Sequence, residues 1–125
     1  RIMAAMGMPK GNDTEKAARS AAIQEATRFA IEIPFKVMET VYSSMNLIKA
    51  MVEKGNPNSV TDAAVGALCA RSAVLGAYLN VKINAGGCED RQWAEDILAK
   101  GSTIENKTIA LEKEIIQIAN GKIGH

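Results

Sequence analysis

Asp62, Asn80 and Asn84 stand out as polar side chains in an otherwise apolar or small-residue run from Asn56 to Asn84, NPNSVTDAAVGALCARSAVLGAYLNVKIN. Turning the run by about 100° per residue puts Asp62, Gly66, Cys69, Ala73, Gly76, Asn80 and Asn84 on one narrow stripe, with Arg71, Tyr78 and Lys82 opposite. The stripe reads as a shallow groove of small residues with polar groups at its two ends. At one end Asp62 has two roles open to it. It can complement a helix dipole, worth about 0.5–1 kcal/mol, or act at the mouth of a groove as a proton carrier or counter-charge to a cation. At the other end, Asn80 and Asn84 lie one turn apart, and a buried amide left unpaired costs about 1–3 kcal/mol. They either bond one another or a neighbouring backbone, or meet the amides or ring nitrogens of a ligand. Asp62 and Asn80 are eighteen residues apart, roughly 27 Å along a helix axis. Either they serve different sites, or two copies of the chain meet. Lys10, beside the Pro9 turn, reads as a solvated loop lysine.

Bulk properties narrow the setting. A chain of 125 residues makes one domain that buries about two thirds of its unfolded surface. Hydrophobic content of 47% with only 4% aromatics suits close helix packing by Ala, Ile and Met. The 15 basic and 14 acidic residues leave a formal charge of +1, which supplies no field for nucleic acid or an anionic membrane surface. No uninterrupted apolar run reaches the eighteen or so residues of a membrane span, and nothing resembles a signal peptide. Neither nucleic acid nor membrane is therefore expected as a partner. Cys69 and Cys88 form no disulfide framework and no zinc spacing, and read as reduced thiols of a cytosolic protein. The single histidine is the terminal His125, so no histidine metal site or histidine general base is expected from this chain. Gly124-His125 reads as the start of a purification tag. Gly-rich phosphate loops, nucleophile elbows and Cys-His pairs are missing from the sequence.

The elements that position these residues are helices. Gly7 and Pro9 read as the end of a helix that begins before residue 1, and the chain is expected to be the C-terminal part of a longer polypeptide. Asn12 and Glu15 have capping-box spacing, so a helix should start near Asp13. Its apolar positions recur at three and four from Ala18 to Ile33, and again from Val37 to Val52. Pro34 should kink or restart it, and Lys54-Gly55 should end it. The central helix starts within NPNSVTD and stops at Gly86-Gly87. Glu89-Asp90 opens a last helix of about thirty residues. One seam of that helix runs through Trp93, Ile97, Ile104, Leu111 and Ile118, the other through Gly101, Thr108 and Ile115. Arg71 and Lys82 are expected to pair with acids on neighbouring helices. The fold class is all-α: a multihelical bundle with a buried central helix, since a helix apolar all round belongs inside a protein.

Three blocks carry a resemblance: MPKGNDTEKAARSAAIQEA, then G-N-P-N-S-V-T-D, then G-A-Y-L-N-V-K-I-N. Together with Pro34 between the first two, they make the sequence similar to the cyclodeaminase domain of formiminotransferase-cyclodeaminase and its bacterial single-domain relatives, which include methenyltetrahydrofolate cyclohydrolases. The last two blocks, in that order and spacing, are specific; the first is moderately so. The resemblance implies a multihelical, dimeric and cytoplasmic lyase of folate one-carbon metabolism and histidine degradation. Residues 1–125 would be the C-terminal portion of one cyclodeaminase-like domain whose N-terminal helices, with a Gly-rich helix start and a further acidic residue, precede residue 1. The implied substrate is 5-formiminotetrahydrofolate, closed to 5,10-methenyltetrahydrofolate with release of ammonia. No cofactor is implied beyond tetrahydrofolate as the one-carbon carrier. That reaction must bring N10 to the formimino carbon, protonate the departing nitrogen and offset the positive charge of the product. By resemblance Asp62 is the catalytic residue, Asn56, Asn80 and Asn84 bind or orient the folate, and Lys10 meets its acidic tail. The alternatives are a cyclohydrolase, which hydrolyses the methenyl bridge, and a helical dimerisation module without chemistry of its own.

Overall fold

The computed structural model describes residues 1–124; His125, on which the purification-tag reading partly rests, lies outside the described residues. Four helices follow one another: α1 (Ile2–Met6), α2 (Asp13–Lys54), α3 (Val60–Ala85) and α4 (Arg91–Ile123), with a short 3₁₀ turn at Pro57–Ser59 before α3. Among the described residues there is no strand.

Local chemistry sets the boundaries. The Asn12 side chain accepts from the Glu15 backbone N–H at 2.9 Å, and Asp13 and Glu15 complement the dipole in the first turn. Glu15 reaches back past the cap to the Gly11 N–H at 2.8 Å. Lys54 ends α2 and Gly55 follows as its C-cap. Asp90 caps α4 by accepting from the Trp93 N–H at 3.1 Å.

Pro34 does not restart the helix: α2 runs unbroken through it for 42 residues. A proline at this position removes the N–H that would serve the carbonyl four residues earlier, that of Ala30. The Asn84 side chain donates to this carbonyl at 3.2 Å, so a neighbouring helix replaces the lost bond.

The bundle has α3 at its centre, packed along α2 on one side and α4 on another, with α1 lying on α2. One core cluster gathers Ile31, Met38, Val74, Val81 and Ala94, and a second gathers Met45, Val52, Ala67 and Ile115. On α4, Gly101, Thr108 and Ile115 are buried, while Trp93, Ile97, Ile104, Leu111 and Ile118 are half-buried beside them. Both seams read from the sequence face the core.

The burial of α3 is one-sided, which corrects the expectation drawn from its composition. Val60, Ala67, Ala70, Val74, Ala77, Tyr78, Val81 and Ala85 are buried, but Val65, Leu68, Leu79 and Ile83 are open, Ile83 at 77% exposure. Two neighbouring helices cover two sides of a cylinder, and a single chain leaves the third side bare. One helical stretch among the described residues, Pro57–Ala85, is long and apolar enough to span a bilayer by length and composition, although Asp62, Arg71 and Lys82 interrupt it. A core helix meets the same test, and Arg71 near the middle of this one is held against α4 by Glu112 at 3.1 Å.

Candidate functional site

Pro34 and Asn84 meet at an open groove of about 440 Å³ between α2 and α3. Ala30, Pro34 and Val37 form its α2 wall; Ala77, Asn80 and Asn84 form its α3 wall. Among the described residues no ionisable side chain lines it. The groove is apolar along its length and polar where the two asparagines sit. Asn84 is half-buried and donates to Ala30; Asn80 is exposed and donates to the Gly76 carbonyl of its own helix at 3.4 Å. Of the two roles open to these amides, the one seen in the single chain is a bond to backbone.

A second groove, of about 370 Å³, lies at the N-terminal end of α2. Lys10, Lys16 and Arg19 give it three cations against one acid, Glu89, so it suits an anionic group. Its floor is braced. Gln24 donates to the Gly87 carbonyl at 3.3 Å and accepts from the Glu89 N–H at 2.8 Å. Arg28 pairs with Asp90 at 2.5 Å and lies over the Trp93 ring at 4.7 Å. Together these contacts fasten the turn between α3 and α4 to α2, and Asn84 is carried on the helix that ends in that turn. Sequence reasoning singled out Lys10 alone; the helical spacing of Lys16 and Arg19 after the Asn12 cap was the signal that would have joined them to it.

Asp62 and Asn56 lie apart from both grooves, at the other end of α3. Asp62 is exposed in the first turn. Asn56 is exposed and its side chain accepts from the Asn58 N–H at 2.9 Å, shaping the 3₁₀ turn. One chain therefore brings Asn80 and Asn84 together, sets Lys10 in a neighbouring cationic groove, and leaves Asp62 and Asn56 distant.

The opposite face of α3 is structural. Arg71 pairs with buried Glu112, as expected of a cation there. Lys82 differs from expectation: it is exposed and lies over the Tyr78 ring of its own helix at 4.7 Å, with no acid partner among the described residues. The Tyr78 hydroxyl donates to the Leu98 carbonyl at 2.8 Å. Burial pushes its phenol pKa up, and the charge of Glu105 adds to the shift. Among the described residues no three His, Cys, Asp or Glu side chains gather to hold a metal ion.

A bundle of long helices that carries an apolar groove ended by amides between α2 and α3, and a cationic groove between α2 and the α3–α4 turn, defines an all-α domain. The chain belongs to the formiminotransferase-cyclodeaminase family, whose pattern matches residues 1–103. It is similar to the methenyltetrahydrofolate cyclohydrolase of Methylorubrum extorquens, with 37% identity over 122 residues, 98% of this chain and 59% of that protein. It is similar also to the formimidoyltransferase-cyclodeaminase of Dictyostelium discoideum, with 32% identity over 119 residues, 94% of this chain and 21% of that protein. For the Rattus norvegicus formimidoyltransferase-cyclodeaminase the figures are 34% over 82 residues, 66% of this chain and 15% of that protein. The chain thus spans 59% of the cyclohydrolase and 15–21% of these two transferase-cyclodeaminases.

Proposed function

We propose that this chain is part of an enzyme of folate one-carbon metabolism that acts on the one-carbon unit between N5 and N10 of tetrahydrofolate. The observation that carries the proposal is the α2–α3 groove, whose wall is the G-A-Y-L-N-V-K-I-N block within the family match. An apolar slot with hydrogen-bonding groups at its end suits a flat heterocycle, and the nearby cluster of Lys10, Lys16 and Arg19 suits the carboxylates of a glutamate tail.

Two reactions share that substrate geometry. In hydrolysis, water adds to the cationic methenyl carbon and one carbon–nitrogen bond breaks, leaving a formyl group on the other nitrogen. In cyclodeamination, N10 adds to the formimino carbon, the departing nitrogen is protonated, and ammonia leaves as the methenyl cation forms. Both need a group that moves a proton beside a developing or vanishing positive charge, which suits one carboxyl. Hydrolysis is supported by the 98% coverage of this chain by the Methylorubrum cyclohydrolase; cyclodeamination is supported by the matches to the transferase-cyclodeaminases.

The carboxyl in this reading is Asp62, delivered by a second copy of the chain. The exposed stripe on α3 is symmetric about position 71: Asp62 mirrors Asn80, Gly66 mirrors Gly76, and Cys69 mirrors Ala73. Two copies laid antiparallel along it bring the partner's Asp62 beside Asn80, and cover the open side of α3. Small residues let the helices approach closely. We propose that the working unit is this homodimer, in the cytoplasm, with no cofactor apart from the folate itself and no membrane or nucleic-acid partner.

The test is to offer 5,10-methenyltetrahydrofolate and 5-formiminotetrahydrofolate separately and to follow methenyl absorbance and free ammonia. Loss of methenyl absorbance from the first substrate identifies the cyclohydrolase. Gain of methenyl absorbance with ammonia from the second identifies the cyclodeaminase. Calorimetric titration showing no binding of tetrahydrofolate would leave a helical dimerisation module.

A further inference from the structure

The orientation of the Asn84 amide is not free. A backbone carbonyl only accepts hydrogen bonds, so the side-chain group facing the Ala30 oxygen at 3.2 Å is the NH₂. Turning the amide over would set two oxygens against each other and strand a carbonyl that Pro34 cannot serve. In an ordinary helix the residue at position 34 would supply that bond and Asn84 would be free to present either end. Here proline on one helix fixes the polarity of an asparagine on the next, and both line the same groove.

We propose that Asn84 is a specificity-determining residue of the α2–α3 groove: with Pro34 locking its NH₂ toward Ala30, its oxygen is the fixed feature a ligand meets, and the groove selects the N–H donor edge of a neutral heterocycle. This rests on the folate reading above, in which that edge is the 2-amino and N3–H side of the pterin. Among the described residues of one chain no ionisable side chain lines the groove, so the charge in this reading is the partner's Asp62 beside Asn80, and the Asn84 end a helical turn away is left to a neutral ring edge. A site that offers a fixed acceptor rejects a ligand that brings an acceptor to the same place, because both groups are then left unpaired.

The probes are a 6-substituted tetrahydropterin and its 2-oxo analogue, in which the exocyclic donor becomes an acceptor, titrated calorimetrically into the full chain. Wild type is expected to bind the tetrahydropterin about tenfold more tightly than the analogue, the size of one well-placed hydrogen bond. Pro34→Ala returns an N–H to position 34, satisfies Ala30 from within α2, and frees the Asn84 amide to turn; the preference is expected to shrink toward unity. Asn84→Ala is expected to abolish it. In urea melts, Asn84→Ala is expected to destabilise wild type more than it destabilises Pro34→Ala, since only in wild type does Ala30 depend on it. Tetrahydropterin binding with the preference intact in both variants overturns the assignment to Asn84 while leaving the folate reading standing. Equal destabilisation in the two backgrounds overturns the Pro34 lock. Failure of wild type to bind the tetrahydropterin at all overturns the folate reading and this inference with it.

Discussion

Tyr78 of α3 lies with its ring directly on Gly101 of α4: a Cβ built on Gly101 would stand 2.4 Å from the Tyr78 Cε2 and 2.8 Å from its Cδ2. The ring is held there from its far end, where the hydroxyl donates to the Leu98 carbonyl at 2.8 Å. Gly101 is therefore a packing contact between helices, of the two roles a mid-helix glycine can have, packing or bending.

Gly101→Ala is expected to destabilise the protein even though alanine favours helix by about 1 kcal/mol. Forcing a methyl group into a filled interface costs about 1–3 kcal/mol, and a ring anchored at its hydroxyl cannot slide away without breaking that bond. A net loss of up to about 2 kcal/mol, read from chemical melts, is the expected result; a gain would mean that the ring moves freely.

Tyr78→Phe keeps the ring over Gly101 and removes the bond to Leu98, a loss of about 0.5–1.5 kcal/mol at neutral pH. The pH dependence follows from the raised phenol pKa. Below the ordinary value of 10.0 both folded and unfolded chains hold the proton, and the contribution of Tyr78 is fully present. As pH rises past 10.0 the unfolded chain loses its proton first, so stability falls. Lys49 acts in the same direction, its pKa raised by the hydrogen bond and charge of Glu114, with its contribution fully present below 10.5 and lost above. Wild type is expected to lose stability above about pH 10, and Tyr78→Phe to lose it less steeply.

Asp62→Asn, made in the full-length protein, is expected to lower turnover on the methenyl or formimino substrate by about 10²-fold or more, the usual contribution of a general acid or base. Asp62 is exposed in the first turn of α3, so the substitution should change stability by less than about 1 kcal/mol. Unchanged turnover would remove Asp62 from the mechanism.

Gly76→Leu distinguishes a dimer along α3 from a single working chain. A Cβ at Gly76 meets nothing within 4 Å, so the fold of one chain should tolerate leucine and even gain from its helix propensity. Between two α3 helices the same side chain blocks close approach. Sedimentation is expected to show dimers for wild type and monomers for the variant; dimers in both would place the interface elsewhere.

Much of the fold was legible before any coordinates. The Asn12 cap, the Lys54-Gly55 stop and the Asp90 start are local events, decided by residues within four positions of each other, so sequence spacing is enough to find them. The buried seam of Gly101, Thr108 and Ile115 follows from helical periodicity alone. The candidate site was less legible, because its geometry depends on neighbours. Asn80 and Asn84 share a groove, as one turn of helix dictates, but the other wall of that groove belongs to residues around Pro34, some fifty positions earlier.

What the amino-acid order determined by itself, then, was the helical type of the elements, the ends marked by the Asn12 cap, the Lys54-Gly55 stop and the Asp90 start, which face of α4 turns inward, and the family to which the blocks around Asn56 and Asn80 point. The tertiary structure alone decided three things. α2 passes through Pro34 because an amide from α3 takes over the Ala30 carbonyl, and no local signal reports a partner so far along the chain. Lys10 joins Lys16 and Arg19 against Glu89 because the α3–α4 turn is fastened beside them by Gln24. Finally, α3 is central yet bare on one side: composition records how apolar a helix is, while what covers each of its faces is set by where the other helices pack.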